Sequence, residues 1–174
     1  MTAQLRDATS ADIPAIAAIY AHHVLHGTGT FEEVPPDDAE MADRIAKVQA
    51  AGCACLVAEQ DGLVLGFGYF APFRGRAAYR FTAEDSIYVR DDIRGQGVGK
   101  ALVAELLARA EAMGIRQMVA VIGDSENVGS IGLHVSLGFR QVGVLKAVGM
   151  KFGRWVDVVQ MQKALGEGDR TLPS

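Results

Sequence analysis

Cysteine is nearly absent: Cys53 and Cys55 are the only two in 174 residues. Two thiols so close together cannot build a disulfide framework, and nothing around them supplies further metal ligands. Both are expected to be reduced thiols, packed on the same side of a core strand in a reducing cytoplasm. An excess of basic residues is absent too. Lys and Arg number 17 against 21 Asp and Glu, a net charge of −4. That argues against a nucleic-acid surface as the main business of the chain and makes any anion site local. No apolar run approaches the ~20 residues that cross a bilayer. The opening Met1-Thr2-Ala3-Gln4-Leu5 carries no apolar signal segment, so neither membrane insertion nor export is expected. Repeats and low-complexity stretches are missing as well. The chain reads as one domain over residues 1–165, large enough to bury its own core, with a polar tail at 166–174 expected to be disordered.

What is present is a strand, a basic glycine-rich turn and a helix in direct succession. Ile87 and Val89 alternate with Ser86 and Tyr88, as a pleated strand requires. Arg94, Gly95, Gln96, Gly97, Val98, Gly99 and Lys100 form the turn. Leu102, Val103, Leu106, Leu107, Ala110 and Met113 then recur at three-and-four spacing, one apolar stripe on a helix. A turn stripped of side chains at the positive end of a helix offers backbone N–H groups to a phosphate.

The chain before it divides readily. Leu5 and Arg6 open a strand, and Thr9 or Ser10 caps a helix with Asp12 in its first turn and Ile13, Ile16, Ile19 and Tyr20 on its buried face. That helix ends near His22, His23 and His26, where solvated capping histidines are favoured over metal ligands, since no carboxylate or cysteine completes a set. A loop through Phe31 and Glu32 follows, read either as plain surface or as a lid. Asp37 or Asp38 starts a second helix, closed by Gly52. Two strands flank Asp61-Gly62, a hairpin signal because that turn needs positive φ. Gly66 and Gly68 share one face, where something bulky is expected to approach the backbone. A loop with Arg74, Arg76 and Tyr79 precedes the strand at 81–89. There Glu84 and Asp85 are adjacent, so they point to opposite faces, and at least one must meet a cavity or a partner. Residues 117–122 form an apolar strand expected to be covered on both faces, as in a parallel pair. A helix from Val128 ends at Gly138, and strands at 139–148 and 155–162 are joined by a loop at 149–154.

Two phosphate-binding readings fail on spacing. An NTPase loop needs Gly where Arg94 stands and Ser or Thr where Ala101 stands. A dinucleotide fingerprint needs G-x-G-x-x-G early in the chain and an acid after the next strand, whereas Gly95, Gly97 and Gly99 come late and the next strand ends Val121-Ile122-Gly123. The run Arg94-Gly-Gln-Gly-Val-Gly instead resembles the acetyl-CoA turn of the GNAT N-acetyltransferases, R/Q-x-x-G-x-G/A. Blocks at 81–89, 119–123, 133–139 and 151–158 resemble the phosphinothricin / methionine sulfoximine (methionine sulfone) acetyltransferase branch, in the same order along the chain.

That resemblance implies an α/β (α+β) fold: a mixed, mostly antiparallel sheet of six to seven strands with a splayed parallel pair, flanked by about four helices. It implies that Ile87, Tyr88 and Val89 pair with the pantetheine arm of acetyl-CoA, that Arg94, Gly95, Gln96, Gly97, Val98, Gly99 and Lys100 hold the diphosphate, and that Asn127 and Ser130 contact the arm further along. Read alone, Asn127 is a helix N-cap. Glu84 matches the family's general base, and His134 stands where many relatives carry a tyrosine that protonates the leaving thiolate; the branch has histidine there, its role open between acid, base and substrate contact. Phe31, Glu32, Arg74, Arg76 and Tyr79 match substrate-binding positions. Ala77-Ala78 departs from the branch in lacking a proline, and Phe81 stands where relatives often have Trp, Tyr or His. The implied protein is a cytoplasmic homodimer that acetylates the α-amine of a small amino-acid analogue without a metal. Its rivals are a GNAT enzyme for another amine, such as an aminoglycoside or a protein N-terminus, and a non-catalytic CoA-binding sensor. A polycation would favour an acidic pocket, which the arginines at 74 and 76 contradict.

Overall fold

The computed structural model describes residues 3–173. Seven strands and four helices alternate in the order β1 (Gln4–Asp7), α1 (Ile13–His26), α2 (Asp38–Ala50), β2 (Cys55–Gln60), β3 (Leu63–Pro72), β4 (Thr82–Val89), α3 (Val98–Ala112), β5 (Gln117–Gly123), α4 (Val128–Ser136), β6 (Arg140–Lys151) and β7 (Arg154–Ala164). The strands form one sheet in the order β1-β2-β3-β4-β5-β7-β6. Every neighbouring pair is antiparallel except β4 and β5. Their parallel ladder runs only from Thr82↔Gln117 to Asp85↔Ala120, although both strands continue. The sheet therefore splits open beyond Asp85.

Turn chemistry sets the hairpins. Asp61 and Gly62 take φ of 51° and 78° between Gln60 and Leu63, the two-residue turn whose twist suits paired strands. The β6–β7 connection is equally short. Phe152 and Gly153 sit at φ of 53° and 71°, and β6 runs on to Lys151 through an irregularity between Leu145 and Gly149. The six-residue loop expected at 149–154 is thus mostly strand.

The two faces carry separate cores. The α3 stripe of Leu102, Val103, Leu106, Leu107 and Ala110 packs with Phe70, Ala83, Met118, Ala120, Val159 and Met161. Met113, expected in that stripe, lies past the helix end and is 48% exposed. On the other face, Ile13, Ile16, Ile19 and Tyr20 of α1 meet Met41 and Ile45 of α2 over Val57 and Phe67. The helix α1 is entered through a 3₁₀ turn, Ser10–Asp12, where Thr9 N–H donates to Asp12 Oδ2 at 2.8 Å. Cys53 and Cys55 belong to opposite cores: only Cys55 is in the strand, so the alternation that would align them does not apply, and burial pushes its thiol up to about 12. What approaches Gly66 and Gly68 is β4 and Leu106, whose atoms lie about 3 Å from any added Cβ. The strand β5 does pair in parallel, but Val121 is 37% exposed, because α1 and α2 cover β2 to β4 and stop short of it. Among the described residues, no helix is long and apolar enough to cross a membrane.

Candidate active site

Where β4 and β5 part, residues 86–89 lose their partner on one edge, and an open groove of roughly 1050 Å³ lies beside the strand end. Ile87, Tyr88 and Val89 line one wall, Asn127, Ser130 and Leu133 the other, and the turn at 94–100 closes one end. Of that turn, Arg94, Gly95, Gly97, Val98, Gly99 and Lys100 reach the groove; Gln96 does not. Gly95 and Gly97 take φ of 78° and 84°, values that glycine alone adopts without strain. A Cβ on either would meet no protein atom within 4 Å, so the space above them is open. Gly99 answers a different need: its Cβ would stand 2.9 Å from Leu133 Cδ1, where α3 packs on α4. The amide of Ala101 is the first to find a helical acceptor, Gly97 O at 3.0 Å. The amides of residues 95–100 have no acceptor among the described residues. Uncapped amides and the positive end of a fifteen-residue helix form an anion seat. Arg94 stands beside it, 3.0 Å from Asp91. Asn127 caps α4 as well, accepting Ser130 N–H at 3.2 Å.

Just upstream, Glu84, Ser86 and Tyr88 share the opposite face of β4 from Asp85. Glu84 is half-buried. Burial chiefly, and then neighbouring Asp85, raise its pKa, with Arg74 opposing. The Arg74 guanidinium lies over the Phe73 and Tyr79 rings at 5.0 and 5.8 Å, so Arg74 and Tyr79 come together near Glu84. Arg76 is exposed and takes no part in that stack. Glu32 approaches Tyr88 further along, adding to the burial that drives the Tyr88 hydroxyl well above its ordinary value, and pairs with Arg44 at 2.6 Å.

The loop carrying Phe31 and Glu32 is anchored, not a free lid. Lys151 is buried and its Nζ donates to Gly27 O and Thr30 O, both at 2.8 Å. Burial lowers its pKa. Thr28 Oγ1 donates to Asp124 Oδ2 at 3.1 Å, and Arg154 pairs with the same carboxylate. The Phe31 ring occupies the space a side chain at Gly149 would need, and Thr28 O does the same at Gly123.

His134 is almost wholly buried and does not line the groove. Its Nδ1 bonds Ser130 O at 2.8 Å and its Nε2 bonds Asp85 Oδ2 at 3.0 Å. Asp85 is the principal residue that sequence reasoning left without a role; the only signal was its adjacency to Glu84, because its partner lies 49 positions away. His23 is the other. It is not a solvated cap: its Nε2 lies 2.9 Å from Val89 O, and burial lowers its pKa. His22 and His26 do face solvent. Among the described residues, no group of three or more potential ligands gathers at a metal-binding distance.

A sheet split at one parallel pair, with an open anion seat at the split and a half-buried carboxylate beside it, has room for an extended phosphorylated ligand along a strand edge. The chain belongs to the acetyltransferase (GNAT) family, whose model matches residues 17–139, and it is an enzyme of the N-acetyltransferase class. It is 59% identical over 162 residues to a phosphinothricin N-acetyltransferase of Alcaligenes faecalis, spanning 93% of this chain and 82% of that one. It is 45% identical over 166 residues to an L-methionine sulfoximine/L-methionine sulfone acetyltransferase of Pseudomonas paraeruginosa, spanning 93% and 94%. The crystal structure of a phosphinothricin acetyltransferase from Sinorhizobium meliloti in complex with AcCoA superposes with a TM-score of 0.97 at 49% identity, covering 100% of this chain and 94% of that one.

Proposed function

We propose that this enzyme transfers acetyl from acetyl-CoA to the α-amine of a small amino-acid analogue of the phosphinothricin, methionine sulfoximine or methionine sulfone type. The observation that carries this reading is the 59% identity to a phosphinothricin N-acetyltransferase, together with a half-buried carboxylate, Glu84, next to an open anion seat. Acetyl-CoA supplies a thioester whose carbonyl carbon takes the amine lone pair as the C–S bond breaks; CoA leaves as a thiolate and takes up the proton that the acylated nitrogen gives up. The residues of this chain do the rest. The free amides at 95–100 and Arg94 hold the diphosphate, and Ile87, Tyr88, Val89, Asn127 and Ser130 hold the arm. Arg74, Arg76 and Tyr79 meet the acidic end of the substrate by charge-assisted hydrogen bonds, with Phe31 and Glu32 on the opposite side. Glu84 takes the proton of the ammonium, directly or through water, so that the lone pair is free; its raised pKa suits it to that task. His134 acts from behind the groove wall, since both its nitrogens are engaged.

A cytoplasmic homodimer is part of this reading. The exposed Leu145, Val148, Met150 and Trp155 of the β6–β7 edge supply apolar surface for a contact. The test is a steady-state panel of amines with acetyl-CoA. Phosphinothricin, methionine sulfoximine and methionine sulfone are expected to give the highest kcat/KM. Preference for a polyamine, an aminoglycoside or a peptide N-terminus would overturn the substrate, and binding of CoA without turnover of any amine would leave a sensor.

A further inference from the structure

Glu84 has a neighbour that the reaction as described does not use. Asp85 points to the opposite face of β4, where its side chain is 1% exposed and that of His134 is 3% exposed. The surroundings are apolar: Phe70 is its register partner on β3, Ala120 on β5, and the Phe139 ring lies edge-on to His134 at 4.9 Å. Ser130 O can only accept, so Nδ1 of His134 carries a hydrogen. Nε2 lies 3.0 Å from Asp85 Oδ2, so both ring nitrogens are engaged. Burial works against a charged ring, but bonding to Asp85 outweighs it and raises the His134 pKa. Asp85 Oδ1, meanwhile, is fully buried with no donor among the described residues. An apolar side chain would suit the site better, and a feature that violates local packing logic is a candidate for function.

The connectivity suggests which function. His134 lies on α4, and its two bonds join the carbonyl of Ser130, in the first turn of that helix, to the strand that carries Glu84. The same turn holds Asn127 and Ser130 on the groove wall. The splay begins immediately after Asp85. We propose that Asp85 is a positioning residue for the transfer: through His134 it fixes the first turn of α4, and with it the groove wall of Asn127 and Ser130, against the strand that carries Glu84. His134 is then a strut between the donor wall and the base, not a group that meets the thiolate.

This inference deepens the reading above and rests on it, so the test separates the two. In the double variant Asp85→Leu/His134→Phe, apolar groups replace a buried, hydrogen-bonded polar pair, a change that is often neutral or stabilising. Its melting temperature should equal or exceed that of the parent, while kcat falls at least tenfold and the Kd for CoA, measured by calorimetry, rises. Wild-type kcat and CoA affinity in that variant would overturn the proposal. If the double variant does not fold, Asp85→Asn and Asp85→Ala decide together: the amide can still bond Nε2 and should keep kcat and the CoA Kd within about twofold of the parent, whereas alanine cuts the bond and should lower kcat and raise that Kd. Equal kcat and Kd in the two variants overturn the strut. Were the parent to acetylate no amine at all, the proposed reaction would fail, and the CoA Kd of the double variant would still judge the strut.

Discussion

At the scale of single residues, Glu84 is the one whose environment contradicts its ordinary chemistry. A solvated carboxylate is too weak a base to take a proton from an ammonium. Burial, with Asp85 next in sequence, shifts it in the useful direction, and Arg74 moderates the shift. The sign follows directly: in the proposed reaction Glu84 acts when ionised, so kcat/KM should rise with pH to a plateau above the raised pKa. Glu84→Gln removes that ionisation without changing the shape of the side chain. It should lower kcat by roughly 10²–10⁴-fold, the usual worth of a positioned acid or base, and abolish the acidic limb while leaving the Kd for CoA nearly unchanged. Stopped assays of CoA release across pH check both statements; retained turnover would remove Glu84 from the mechanism. Asp85 shows the limit of reading residues from sequence. That at least one of two adjacent acids had to meet a cavity or a partner was legible from the strand, but His134 as the partner of Asp85 became visible only once β4 and α4 were brought together.

Elements were legible wherever their termini carry their own chemistry. Asp61-Gly62, the Asp37 cap of α2 and the αL glycines at 95, 97 and 138 each impose a local geometry, and the α1 and α3 stripes predicted their buried faces. What was not legible depends on neighbours far along the chain. The extension of β6 to Lys151 is set by pairing with β7, and His23 is turned inward by the end of β4. The start of α1 shows how a cap reaches beyond its helix. Asp12 accepts from Thr9 N–H and also from Arg6 at 2.7 Å, and Arg6 chiefly holds its carboxyl down to about 2 from the ordinary 3.8, despite burial. A depressed carboxyl stabilises the fold above its unfolded value, and that contribution is lost as pH falls from about 4 through 2. The shift corresponds to about 2 kcal/mol at neutral pH, reduced by the solvent that reaches Arg6. Asp12→Asn should therefore lower stability by up to that amount at pH 7 and lose its difference from the parent near pH 2. Urea melts at the two pH values measure this, and an equal deficit at both would assign the effect to packing.

The whole molecule is built on a sheet whose two parts meet at one short parallel ladder. Along the sheet, its β1–β4 half meets its β5–β7–β6 half at four register pairs, Thr82↔Gln117 to Asp85↔Ala120; beyond them the two strands part around the groove. A ligand lying in that groove touches both halves at once, through residues 87–89 on one side and Asn127 and Ser130 on the other. It should thus act as a missing strand. Binding to the folded state alone at a hundred times Kd stabilises by ~2.7 kcal/mol, which for a domain of this size raises Tm by roughly 5–10 °C. CoA should produce that shift and should slow hydrogen exchange at residues 86–89 and 95–100, the amides that lack protein partners on the groove side. Gly97→Val separates the contribution of the turn from that of the strand edge. At φ of 84° a branched side chain is strained, and it projects into the open space above the seat, so apo Tm should fall slightly and the CoA-induced rise should largely vanish. A full CoA shift in that variant would move the diphosphate off the turn and leave the splayed edge of β4 as the sole seat of the donor.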